Sequence, residues 1–128
     1  MGQQQLLLIV LGVIIVGIAV VIGITLFTSH STNSNRDGVT SDLINIASLA
    51  RQYYNKPTAM GGGSNSFTGW DITTTGLSTT GSGTYVATVS AQSITLVGTG
   101  IQKGTDGTNN IQLTDYVSPA ADSVVVNN

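Results

Sequence analysis

Residues Leu6–Phe27 read LLLIVLGVIIVGIAVVIGITLF, an unbroken run of roughly 22 residues, long enough to decide the fold. It holds no charge and no proline. At 1.5 Å per residue, a helix over this run reaches about 33 Å and crosses a hydrocarbon core. A cleaved signal peptide would pair a basic leader with a shorter apolar stretch. Met1–Gln5 contains neither Lys nor Arg, so a membrane anchor is the better reading. Gly12, Gly17 and Gly23 interrupt the run and leave two accounts open. Glycine is common filler in membrane spans. Small residues also let neighbouring helices approach closely. The nearest basic residue is Arg36, so charge orients the span weakly, and the bulk of the chain is expected outside the cytoplasm.

Beyond Phe27 the texture changes to Thr, Ser, Gly and Asn. Only 8% of the 128 residues are charged, against roughly 25% in ordinary soluble domains. A surface so poor in charge is prone to self-association, which is tolerable where copies are meant to pack together. The net charge is −2, and Arg36, Arg51, Lys56 and Lys103 are scattered, so the chain carries no basic footprint for nucleic acid.

Thr28–Gly38 (TSHSTNSNRDG) has poor helix propensity. It is either a flexible linker ending in an Asp37-Gly38 turn or a polar stretch of one continuous helix held by packing. His30, without acidic or thiol neighbours, reads as polar spacing. From Thr40 or Ser41 as N-cap, with Asp42 favouring the first turn, Val39, Leu43, Ile46, Ala50 and Tyr53 recur at helical spacing and form one apolar stripe. Pro57 ends this helix near Asn55, and Arg51 and Lys56 suit its C-terminal end.

Pro57 opens a β-rich region. Gly61–Gly63 reads as a flexible loop, followed by strands over Phe67–Thr73, Thr84–Ala91, Ser93–Gly98, Asn110–Val117 and Ser123–Val126. Tyr85, Ala87 and Val89 alternate with Val86, Thr88 and Ser90, as expected of an antiparallel sheet with one face on a helix. Phe67 and Trp70 are expected to join Leu43, Ile46 and Tyr53 in the helix–sheet core. The predicted fold class is therefore α+β. Its parts are a hydrophobic helix over 1–28, a polar junction over 29–39, an amphipathic helix over 40–56 and a β-rich head over 57–128.

Catalysis is not expected. The sequence has no Glu and no Cys, and its Asp residues are dispersed, so no acid–base, nucleophile or metal constellation assembles from it. No cofactor and no metal are predicted. Gly98, Gly100 and Gly104 lack the spacing of a phosphate loop and read as a hairpin turn. Asp106, Asn109 and Asn110 could offer oxygens to calcium, but an Asp106-Gly107 turn explains them more simply.

An apolar helix, an amphipathic continuation and a small sheet, with ASLARQYYNKPTAMGGG over Ala47–Gly63 at the hand-over, resemble the type IV pilin and pseudopilin family. The resemblance implies a homopolymeric filament at the cell surface. Its subunits would wait in the inner membrane, be assembled by pilus machinery, and polymerise through Met1, Gln5, Leu6, Gly12, Gly17, Gly23 and Phe27. If Met1 is the mature first residue, Gln5 stands where the family carries a glutamate. An amide there accepts a hydrogen bond but forms no ion pair. The family's helix-breaking proline is missing, and Gly17 or Gly23 would be the soft point. A minor pseudopilin of a secretion apparatus and a single-pass anchor displaying a β-domain are the alternatives.

Overall fold

A computed structural model describes residues 2–128; Met1 lies outside the described residues. One helix, α1, runs Gly2–Asn55 without a break. Short 3-10 turns follow at Thr58–Met60 and Ile72–Thr75, then strands β1 (Gly83–Val89), β2 (Ile94–Lys103), β3 (Asn110–Val117) and β4 (Asp122–Val126). The four strands form an antiparallel meander in the order β1-β2-β3-β4. The fold is α+β, a long N-terminal helix with a four-stranded antiparallel sheet. The chain divides into two compact units, one ending at Ser31 and the other running Thr32–Asn128.

Within the second unit the apolar stripe of α1 faces the sheet. Val39, Leu43, Ile46, Ala47 and Ala50 are buried, and Tyr53 is half-buried. The facing side chains are Tyr85 from β1, Ile94 and Leu96 from β2, and Ile111, Leu113 and Val117 from β3. Full burial of one Leu, Ile or Phe of this set contributes about 1.5–3 kcal/mol. Phe67 is fully buried and Trp70 nearly so, in one apolar cluster with Leu43 and Ile46. Phe67 stacks at a tilt on Tyr54, with ring centroids 4.8 Å apart.

The polar junction is helical, and tertiary hydrogen bonds explain why. Thr32 Oγ1 donates to the Lys103 carbonyl at 3.1 Å. Asn35 Nδ2 donates to the Ser82 carbonyl at 2.8 Å, while its Oδ1 accepts from the Ile101 and Gln102 amides at 2.9 and 3.1 Å. Those two amides lie where the β2–β3 register shifts, between Thr99 and Lys103. Asn35 thus replaces ladder bonds that β3 does not supply, and the sheet holds a segment that propensity disfavours. Asp37-Gly38 is mid-helix rather than a turn. Thr40 is no N-cap either, because its hydroxyl donates back to the Arg36 carbonyl.

Four further expectations shift. Phe67–Thr73 is not a strand; Asp71 instead caps the Ile72–Thr75 turn by accepting from the Thr73 amide. Thr84–Ala91 and Ser93–Gly98 become Gly83–Val89 and Ile94–Lys103, so Gly98 and Gly100 lie inside β2 rather than in a hairpin turn. A Cβ on Gly98 would sit 2.8 Å from Val39 Cγ1 and 3.0 Å from the Tyr85 ring. One on Gly100 would strike Asn35 and Ile111, so both glycines admit close approach of helix and neighbouring strands. Gly61–Gly63 is tied down as well. The Gly63, Ser64 and Asn65 amides donate to the Tyr53, Lys56 and Tyr54 carbonyls, closing the end of α1 that Pro57 prevents from continuing.

Candidate assembly surface and buried charges

The first unit is helical throughout its described residues and apolar on every side. Leu6 is 65% exposed and Phe27 73%, and the Leu, Ile and Val residues between them are exposed by half or more. A helix apolar all round is stable only in an apolar medium or among other apolar helices. The two hydroxyls near its end fit that requirement. Thr25 Oγ1 donates to the Val21 carbonyl and Thr28 Oγ1 to the Ile24 carbonyl, both at 3.0 Å, so neither presents an unpaired donor. This is the one described helix long and apolar enough to cross a membrane.

Gln5, Leu6, Gly12, Gly17, Gly23 and Phe27 all fall on this surface; Met1, the remaining candidate, lies outside the described residues. A Cβ placed on Gly12, Gly17 or Gly23 would meet nothing within 4 Å. No contact among the described residues therefore requires glycine at these positions.

The second unit holds three carboxylates in distinct environments, Asp42, Asp106 and Asp115. Asp42, on the sheet-facing side of α1, accepts 2.6 Å hydrogen bonds at Oδ2 from Thr80 Oγ1 and from the Tyr85 hydroxyl. Burial, then the bond to Asp42, pushes the Tyr85 hydroxyl well above the usual phenol range. Asp106 closes the β2–β3 turn, with Oδ1 accepting from the Thr108 and Asn109 amides and Oδ2 from Asn109 Nδ2. The Thr108 amide is the main reason its carboxyl lies below the usual range. Those bonds close the Asp106-Gly107 turn.

Asp115 is different. It lies on the inner face of β3 in the row Ala87–Leu96–Asp115–Val124, with no exposed surface and no hydrogen-bond partner for either carboxylate oxygen. Arg51 is the cation nearby. Its Nε donates to the Ser118 carbonyl at 3.3 Å, and its Nη2 lies 3.1 Å from Asp122 Oδ1 in an ion pair not aligned as a hydrogen bond. Burial pushes the Asp115 carboxyl up to about 6; the Asp122 charge adds to the rise, and Arg51 and the Ser123 amide oppose it.

Among the described residues no three His, Cys, Asp or Glu side chains gather as metal ligands. A polar cleft of about 720 Å³ beside Asp106 is lined by Thr99, Asn110, Gln112, Asn127 and Asn128 and gathers no catalytic pair. Asn35 and Asp115 carried no expectation from the sequence, and Asp42, expected in the first turn of a second helix, lies inside the continuous α1. Asp115 had a signal, because it shares the inward parity of Ile111, Leu113 and Val117 along β3. Asn35 had none in its own neighbourhood, since its partners lie 47 to 67 positions away. No protein family, no characterised protein and no solved structure matches the chain.

Proposed function

We propose that this chain is the structural subunit of an extracellular, type IV pilus-like filament that polymerises through Leu6–Phe27. The observation that carries this reading is the contrast between a helix surface with no apolar cover and a head whose core is complete within residues 39–117. In the membrane, lipid covers the helix. In a polymer, neighbouring copies replace lipid, and each Å² of apolar surface withdrawn from water contributes about 25 cal/mol. Gly12, Gly17 and Gly23 would form the close contacts, because bulk there conflicts with a neighbouring helix and not with the chain itself. The head, poor in charge and rich in hydroxyls, would form the filament exterior. The chemistry needed is binding and packing rather than turnover, and the partners are further copies, the membrane before assembly and an assembly apparatus.

The test is to shear filaments from cells expressing the chain and compare Gly17→Leu with the natural sequence. The chain should be the major filament component, and Gly17→Leu should abolish filaments while leaving membrane insertion intact. A chain that stays monomeric in the membrane would instead be a single-pass anchor displaying a β-domain. A chain present only at trace stoichiometry in filaments would be a minor pseudopilin.

A further inference from the structure

We propose that Asp115 is a proton-operated latch that seats the β3–β4 hairpin on the helix when protonated and loosens it when ionised. The inference is independent of whether the chain polymerises, because every group involved belongs to the head.

The geometry sets two carboxylates against one cation. The groups facing Asp115 are Arg51 from α1 and Asp122 from β4, while β2 contributes only Leu96 to its row. Arg51 is already engaged by the Ser118 carbonyl and Asp122, the residues that bracket the turn between β3 and β4. An ionised Asp115 is then a buried anion with no side-chain donor on either oxygen and only the Ser123 amide of β4 to offset its charge. Such a charge is costly unless it is paired or reached by water. Two ways exist to satisfy it: Arg51 swings inward and abandons the turn, or water enters beneath the hairpin.

Both routes loosen the same element. β4 is an edge strand bonded on one side only, and Val124 is its sole half-buried residue. Lifting it exposes less apolar surface than moving any other strand, so opening should run through β4. A protonated Asp115 removes the demand, and Arg51 remains on Ser118 and Asp122.

The sign of the linkage follows from the raised carboxyl. Relative to an open-state carboxyl at about 3.9, the stabilisation is full below about pH 4 and is lost as pH rises through about 6. Between pH 8 and pH 5 the closed-to-open ratio should rise about tenfold. The Tyr85 hydroxyl, raised above the phenol range, and the Asp106 carboxyl, lowered, both titrate outside that window.

The experiment is amide hydrogen exchange of the full chain in detergent micelles at pH 5, 6, 7 and 8, corrected for the intrinsic pH dependence of exchange. Protection of Asp122–Val126 should increase about tenfold from pH 8 to pH 5, with a midpoint near 6, and Asp115→Asn should remove the dependence. Asp122→Asn, which deletes the competing anion and frees Arg51, should move the midpoint to lower pH and serves even if Asp115→Asn fails to fold. Uniform β4 protection from pH 5 to 8 in the natural chain would overturn the latch. So would a tenfold change that survives Asp115→Asn, or an unmoved midpoint in Asp122→Asn.

Discussion

The two halves of α1 are held by opposite means. Between Leu6 and Phe27 the sequence is strongly apolar, and its large side chains are exposed. Between Thr32 and Asn55 the sequence begins as a poor helix former, yet the sheet grips it through Asn35, Thr32 and the buried stripe from Val39 to Ala50. One half is helical where an apolar environment obliges its backbone to bond to itself. The other is helical because of its neighbours. Helix formation thus depends on the surrounding medium in the first half and on tertiary contacts in the second.

That contrast predicts where substitutions act. The largest losses of head stability should come from the stripe. Leu43→Ala or Ile46→Ala leaves a cavity beneath the sheet and should cost about 2–5 kcal/mol, measured by thermal or denaturant unfolding. Leu11→Ala, in the apolar half, should leave head unfolding unchanged, since Leu11 is exposed. Equal costs at the two sites would break the comparison.

Asn35→Ala comes next. It leaves the Ser82 carbonyl and the Ile101 and Gln102 amides without their partner and should cost about 3 kcal/mol, from roughly 1 kcal/mol for each of the three bonds. Hydrogen exchange should show the Ile101 and Gln102 amides losing protection before the centre of β2. Asn35→Asp keeps the acceptor but loses the Nδ2 donor, so it should retain protection at Ile101 and Gln102 and lose only part of the stability.

Gly17 separates the halves more finely. Gly17→Ala should stabilise the isolated helix by about 1 kcal/mol or less, because nothing within the chain occupies the space. The bulkier Gly17→Leu should fail in assembly, as read by filament yield. Smallest of all, Thr25→Val should shift stability by less than about 0.5 kcal/mol, since its hydroxyl only bonds back to the Val21 carbonyl.

Much of the fold was legible in the sequence, because short-range signals carried it. Charge-free length marked the apolar half, three- and four-residue spacing marked Val39–Tyr53, alternation marked β1, and short β-favouring runs marked β3 and β4. What could not be read depended on distant partners. The junction is helical because Ser82, Ile101, Gln102 and Lys103 reach it, and no local propensity encodes that. Phe67–Thr73 looked like a strand from its β-favouring residues, whereas Asp71 turns the chain there. Glycines in β2 looked like a turn because their use is close packing against Val39, Tyr85, Asn35 and Ile111. Of the candidate surface, the apolar positions were evident from composition. Asp115 was evident only by parity, since a charged residue in an inward position runs against the usual pattern.

The central claim is that Leu6–Phe27 ends up among copies of itself. Cryo-electron microscopy of sheared surface filaments at side-chain resolution tests it directly. The account predicts these residues bundled at the filament axis, with Gly12, Gly17 and Gly23 against neighbouring helices and the sheet-bearing heads outside. Filaments built from a different chain, with this one left as a monomer in the membrane fraction, would contradict it.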